Sequence, residues 1–77
     1  RIAREELSVR EHMSCILRRL QNARFVEFSD LFYAARGPAV AIVNFLALLE
    51  LAREALIEIT QATPYAPIYV RLAYSPT

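Results

Sequence analysis

Apolar residues in the first third of the chain recur with the period of an amphipathic helix. They lie at Val9, Met13, Ile16, Leu17 and Leu20, and polar side chains occupy the positions between them. The stretch SVRE at residues 8–11 has the form of a capping box, in which a serine and a glutamate satisfy free amides of the first helical turn. The pattern predicts a helix from Ser8 to about Ala23 that covers a core with one face.

The middle of the chain predicts a short strand and then a short helix. RFVEF at residues 24–28 alternates over too few positions to form more than a short strand. Ser29 is a suitable N-cap for a helix over residues 30–36. The inward positions predicted for this helix are Leu31, Phe32 and Ala35. Gly37 followed by Pro38 indicates the end of one helix and the start of the next.

The third predicted helix runs from Pro38 to about Ala55 and is apolar on more than one side. We place Phe45, Leu49 and Ala52 on the side that faces the core, against Met13, Leu17 and Leu31. A second apolar stripe then remains on the opposite side, at Val40, Val43, Ala47 and Leu51. Because so short a chain has little left to cover it, this second stripe is predicted to be exposed.

The last part of the chain predicts a β-hairpin. LIEITQ at residues 56–61 and IYVRLA at residues 68–73 both alternate, and the turn residues ATPYAP lie between them. The second of these strands is expected to be an edge strand with open backbone groups. The element order indicates an α+β fold of the winged-helix type: a three-helix bundle with a small antiparallel β-sheet and a wing hairpin. We expect a lead-in or linker over residues 1–7, the domain over residues 8–74 and a tail over residues 75–77.

Composition and charge restrict the function classes. The chain has 77 residues, which is one small domain, and nine basic residues against eight acidic ones give a net charge of +1. So balanced a charge does not indicate binding to a phosphate backbone. The one cysteine excludes an internal disulfide and fits a reducing compartment. Because the first residue is Arg1 and no signal-peptide pattern follows it, we expect a fragment of a longer chain.

Candidate reactive side chains are few, and each has a plain structural interpretation. His12 and Cys15 have no partners at metal-ligand spacing, so a solvated histidine and an unreactive, partly exposed thiol are expected. Glu50 and Glu54 are explained as a solvated helix face beside Arg53. One glycine cannot build a phosphate-binding loop, and the apolar run over residues 39–49 is shorter than the roughly 20 residues that span a membrane. We therefore predict no enzyme, no catalytic or metal site, no cofactor and no membrane contact.

The third helix also bears on DNA binding, because this helix commonly enters the major groove in winged-helix proteins. Its exposed side is predicted to carry Asn44, Glu50, Arg53 and Glu54 among the apolar residues. Base reading needs arginine, lysine, asparagine or glutamine side chains, and only Asn44 fits that role well. A protein partner is therefore favoured, and a DNA-binding winged helix of a transcription regulator is the alternative.

Four stretches carry a resemblance to a known family. SVREHMSCILRRL, FVEFSDLF, FLALLELAREALIEITQ and PYAPIYVRLA together resemble the C-terminal winged-helix domain of segregation and condensation protein A, the bacterial kleisin, over residues 8–73. The FLALLEL block, with the short strand and aromatic hairpin after it, is the most specific part. Two features depart from the family pattern: a glycine common in the wing turn is missing around Tyr65, and the link RGPA is short.

This resemblance implies a place in a larger assembly. Kleisins of the family bridge the two ATPase heads of a structural maintenance of chromosomes dimer, and their C-terminal winged helix docks on one head. The middle of the parent chain recruits segregation and condensation protein B. The resemblance thus implies a cytoplasmic, nucleoid-associated complex for chromosome condensation and segregation, with the ATPase activity in the partner and no direct sequence-specific nucleic acid contact by this domain.

The predicted partner-binding surface combines the second apolar stripe with the hairpin. Its residues are Val40, Val43, Ala47, Leu51, Tyr65, Ile68 and Tyr69. Tyrosine suits this surface because it adds contact area and a hydroxyl group at low entropic cost. We also expect the isolated fragment to form a homodimer through the same surface when its partner is absent.

Overall fold

The computed structural model describes residues 8–33 and 37–75. Its elements are α1 (Val9–Gln21), β1 (Val26–Glu27), α2 (Phe28–Tyr33), α3 (Pro38–Arg53), β2 (Ile57–Gln61) and β3 (Ile68–Leu72). Within these described ranges, three helices and one three-stranded antiparallel sheet form an α+β fold of the winged-helix type. The predicted fold class and element order are confirmed.

The first helix begins where the capping pattern places it. The backbone amide of Glu11 donates to Ser8 Oγ at 3.3 Å, which is half of the predicted capping box. Ile16 and Leu20 are buried, and the rest of the predicted inward stripe packs against them at the margin of the core. The helix ends at Gln21, and the amide of Asn22 donates to the carbonyl of Arg19. The capping pattern therefore predicted the start of this helix and the amphipathic pattern its orientation, whereas the helix ends two residues before the predicted Ala23.

The second helix starts two residues earlier than its N-cap signal suggested. It begins at Phe28, directly after the two-residue strand β1, so Ser29 lies inside the first turn instead of capping it. The predicted inward position Ala35 falls outside the described residues. Gly37 precedes α3 with φ +91°, a conformation that suits glycine because it has no Cβ, and Pro38 is the first helical residue.

The sheet has the strand order β1–β3–β2, so β3 is its central strand. β3 pairs with β2 from Ile57↔Leu72 to Gln61↔Ile68, and with β1 at Val26↔Val70 and Glu27↔Tyr69. The prediction that residues 68–73 form an edge strand is therefore wrong. The reason is that β1, although only two residues long, pairs with the side of β3 that the hairpin leaves open.

The core lies between α1, α2, α3 and one face of the sheet. Its buried residues are Ile16, Leu20, Leu31, Ala47, Leu48, Leu51, Ile57 and Val70. Val70 sits directly opposite Val26 and Ile59 in the pairing register, so these side chains point to the same face of the sheet. The intervening residues Glu58 and Arg71 form an ion pair on the opposite, outer face.

The orientation of α3 is the reverse of the predicted one. Ala47 and Leu51 are completely buried and Val43 is buried, whereas Phe45 and Leu49 keep almost half of their surface exposed. Ala52, also predicted to face inward, is exposed. The error arose because α3 is apolar on nearly all sides, so its hydrophobic pattern alone does not select the face that packs on α1.

A buried asparagine shows why this orientation is adopted. Asn44, predicted to be exposed, is buried, and its Nδ2 donates to the carbonyl oxygen of Leu31 at 3.1 Å. That carbonyl belongs to the last turn of α2, where backbone oxygens lack partners within the helix. The hydrogen bond ties α3 to α2 and satisfies a polar side chain that burial would otherwise destabilise.

Two leucines on α3 provide a matched test of its orientation. Leu51→Ala should lower the free energy of unfolding by about 2 to 5 kcal/mol, because it opens a cavity in the core. Leu49→Ala should cost only about 1 kcal/mol, because that side chain is already half exposed. Urea unfolding of both variants measures the difference. An equal or larger loss at Leu49 would contradict the structure.

Candidate docking surface on the third helix

The outward side of α3 carries a row of large apolar side chains. Ile42 is 59% exposed, Phe45 44%, Leu46 46% and Leu49 49%, and we call these four residues the outer stripe. Their spacing places them on one face of the helix over two turns. Residues 38–49 include no charged residue, so no charge interrupts the row. Single exposed apolar side chains are common on proteins, but a contiguous row of this size is typical of an interaction site.

An aromatic recess adjoins the outer stripe where α2 meets α3. It is a shallow depression lined by Phe28, Phe32, Ala41, Ile42 and Phe45, with a volume of about 360 Å³. The ring centroids of Phe28 and Phe32 lie 4.8 Å apart, and those of Phe32 and Phe45 lie 6.5 Å apart. Because all five lining residues are apolar, the recess suits a hydrophobic side chain from a partner.

A charged pair lies beside the C-terminal end of the outer stripe. Arg53 donates from Nε to Glu50 Oε1 at 3.2 Å and from Nη2 to Oε2 at 2.6 Å. These hydrogen bonds hold the pKa of Glu50 below its ordinary value, with smaller contributions from Glu54 and the charge of Arg10, and they raise the pKa of Arg53. The surface thus changes from apolar to charged within one turn after Leu49, as the rim of a protein interface does.

A larger recess, of about 670 Å³, lies at the C-terminal end of α1 and differs in character. Its walls include Gln21, Asn22, Arg24, Arg71 and Tyr74. Arg71 is already paired with Glu58, and the recess is open to solvent. It therefore lacks the continuous apolar character that the outer stripe and the aromatic recess share.

The structure separates the predicted site residues into different surroundings. Val43, Ala47 and Leu51 lie in or against the core and have no surface to offer a partner, so placing them on an exposed stripe was wrong. Val40 is half-buried. The other predicted site residues, Tyr65, Ile68 and Tyr69, lie in the hairpin and not on α3.

The three hairpin residues do not share one surface. Tyr65 is fully exposed at the hairpin tip. Tyr69 lies on the outer face of the sheet, where its ring packs edge-on against Phe25 with centroids 5.0 Å apart. Ile68 is half-buried on the opposite face of β3. A role of these residues in partner binding stays a prediction.

Sequence reasoning missed the residues that form the exposed surface. Ile42 and Leu46 received no role, and Phe45 and Leu49 were assigned to the core. The available signal was the spacing 42, 45, 46 and 49, which forms as regular a helical stripe as the set chosen instead. Because Asn44 was taken for a surface residue, the predicted rotation of α3 placed this stripe toward the core, and the stripe was not recognised as exposed.

The other reactive groups have simple environments. The ring of His12 approaches the Ser8 carbonyl oxygen with its Nδ1 at 2.9 Å, so the ring N–H donates to that oxygen. Cys15 is exposed, as predicted. Within residues 8–33 and 37–75, no three His, Cys, Asp or Glu side chains are grouped to hold a metal ion. In the same ranges, no helix combines the length and apolar character that crossing a membrane requires.

The exposed side of α3 lacks the chemistry of a base-reading helix. Asn44 is buried, so the one side chain suited to contact base edges is engaged within the fold. The outer stripe is hydrocarbon, and Arg53 is paired with Glu50. The DNA-reading alternative is therefore not favoured.

Comparison with known proteins identifies the family. Residues 1–73 match the family model described as Segregation and condensation protein ScpA. The chain belongs to this family. A relative from Xylella fastidiosa (strain 9a5c), named segregation and condensation protein A, is 46% identical over 70 residues, which are 91% of this chain and 23% of the relative. The chain is similar to the C-terminal part of such relatives.

Two further relatives of the same name match a similar share of this chain. The Coxiella burnetii segregation and condensation protein A is 44% identical over 70 residues, which are 91% of this chain and 26% of that protein. The protein of the same name from Listeria monocytogenes (serotype 4a) is 37% identical over 73 residues, which are 92% of this chain and 29% of that protein. The chain thus spans between 23% and 29% of the length of these relatives.

The Glu50–Arg53 pair predicts a small pH dependence of stability. Because the pKa of Glu50 is lowered in the folded state, its contribution is present above the ordinary value of 4.5 and is lost as the pH falls through the folded pKa. Glu50→Gln should melt slightly below the parent at pH 7, and the two melting temperatures should converge in acid. Thermal unfolding between pH 7 and pH 2 measures this. A constant difference at all pH values would contradict the assignment.

Proposed function

We propose that this domain is a non-enzymatic docking module of a bacterial complex for chromosome condensation and segregation. In this proposal the outer stripe and the aromatic recess bind the ATPase head of a structural maintenance of chromosomes protein. Membership of the segregation and condensation protein A family supports the cellular process. The resemblance to the kleisin C-terminal domain, which docks on such a head, supports the choice of partner.

The exposed apolar face of α3 is the observation that carries the proposal. Four large side chains each leave roughly half of their surface in water. At about 25 cal/mol per Å² of apolar surface, covering them would contribute on the order of 1 to 2 kcal/mol per side chain. Neither DNA reading nor catalysis requires such a surface, whereas the centre of a protein interface does.

The remaining parts of the proposal follow from the assembly. ATP hydrolysis belongs to the partner, and segregation and condensation protein B binds through other parts of the parent chain. The complex is cytoplasmic and associated with the nucleoid. Homodimer formation by the isolated fragment stays a prediction. We expect it to be weak, since the outer stripe alone offers less area than the roughly 1,200 to 2,000 Å² of a stable interface.

A charge in the outer stripe tests the docking surface. Leu46→Glu should weaken binding to the ATPase head from the same genome by roughly 100-fold or more, because a carboxylate is strongly disfavoured in a desolvated interface. Its melting temperature should stay close to that of the parent, because Leu46 is half exposed. Isothermal titration calorimetry and thermal unfolding give the two measurements.

Ser14→Glu is the matched control for this experiment. Ser14 is exposed on α1, so this variant adds the same charge outside the outer stripe and should bind like the parent. If Leu46→Glu binds the head as tightly as Ser14→Glu does, the outer stripe is not the docking surface.

A salt titration tests the DNA-binding alternative. A transcription regulator of this fold should lose orders of magnitude in duplex affinity between about 50 and 200 mM salt, because each phosphate contact releases counterions. This domain has a net charge of +1 and should show almost no duplex binding at either salt concentration. Fluorescence anisotropy with a labelled duplex measures this. Tight binding with a steep salt dependence would favour the regulator.

A further inference from the structure

The tip of the hairpin is a tight turn with a tyrosine where a glycine is usual. The amide of Ala66 donates to the carbonyl of Thr63 at 3.0 Å and closes a β-turn whose central residues are Pro64 and Tyr65. Tyr65 has φ +70°. A proline followed by a residue with positive φ is the pattern of a type II turn, in which glycine or asparagine normally takes the second central position.

This conformation is unfavourable for tyrosine, and no contact in the described chain compensates for it. In the left-handed region a Cβ atom crowds the backbone, which is why glycine is preferred there. Tyr65 is fully exposed, and its hydroxyl makes no hydrogen bond within the described residues. Backbone strain of this kind concentrates at functional positions, where a side chain serves a purpose outside the fold.

The turn is also braced, so the tyrosine is presented by a fixed backbone. Pro64 and Pro67 restrict φ on both sides of the tip. The side chain of Gln61 donates from Nε2 to the carbonyl oxygen of Ala66 at 2.8 Å. A rigid turn lowers the entropic cost of ordering on binding, and tyrosine is among the residues that contribute most to protein interfaces.

Charge indicates the kind of partner. Residues 59–70, which form most of the hairpin, include no charged residue. A wing that contacts nucleic acid needs cations for the phosphates, so a protein surface is the better match.

We infer that Tyr65 is an anchor residue that inserts into a cleft of the partner protein. This inference rests on the proposed function, in which that partner is the ATPase head. The cleft should be apolar, with a polar group at its far end for the tyrosine hydroxyl.

Replacing the tyrosine should change stability and binding in opposite directions. Tyr65→Gly and Tyr65→Asn both suit a positive φ, so neither should melt below the parent, and Tyr65→Gly should melt slightly above it. Both should weaken head binding by at least about tenfold, because an interface anchor is lost. Tyr65→Phe keeps the ring and removes the hydroxyl group, so comparing its head affinity with that of the parent measures the contribution of the hydroxyl group. Tyr74→Asn removes an exposed tyrosine outside the hairpin and should bind like the parent.

The outcomes separate this inference from the proposed function. If the parent binds the head, Leu46→Glu does not, and Tyr65→Gly and Tyr65→Asn both bind like the parent, the inference is wrong while the docking proposal stands. If the parent does not bind the head, both are wrong. A lower melting temperature for Tyr65→Gly would contradict the strain on which the inference depends. Loss of duplex DNA affinity in the Tyr65 variants would contradict a protein partner.

Discussion

A single buried hydrogen bond, from Asn44 to the carbonyl oxygen of Leu31, governs how the third helix sits in the fold. Because α3 is apolar on nearly all sides, hydrophobic burial alone does not distinguish between several rotations of the helix about its axis. A buried amide without a partner costs about 1 to 3 kcal/mol, which is large beside the stability of so small a domain. The free carbonyl at the end of α2 provides that partner. Its position therefore selects the rotation in which Ala47 and Leu51 enter the core.

In this rotation some apolar residues of α3 face the core and the others face solvent. The side turned toward α1 and the sheet includes a small residue, Ala47, with no exposed surface, and close approach of two helices requires such residues. The larger residues Phe45 and Leu46 are placed outside, beside the aromatic recess. The strongly apolar composition of α3 thus has two origins: one side completes the core, and the other forms the surface for which we propose a partner.

The sequence predicted the elements well and their mutual arrangement less well. The amphipathic pattern of α1 and the alternation of the hairpin depend on neighbouring residues, so both could be recognised locally. The rotation of α3 depends on a carbonyl thirteen residues away, and the central position of β3 depends on a two-residue strand at Val26. Neither leaves a periodic signal. For this reason the predicted site contained three core residues and omitted the outer stripe.

The two surfaces proposed for binding are both places where a rule for stable monomers is broken. The outer stripe exposes large apolar side chains without interruption, and the hairpin tip holds a tyrosine in a glycine-type conformation. Neither feature adds stability to the isolated domain: the first exposes hydrocarbon to water and the second strains the backbone. Where local preference and the fold disagree, function is the usual reason. In our proposal a partner covers both features, and the domain is then a part that is completed by assembly.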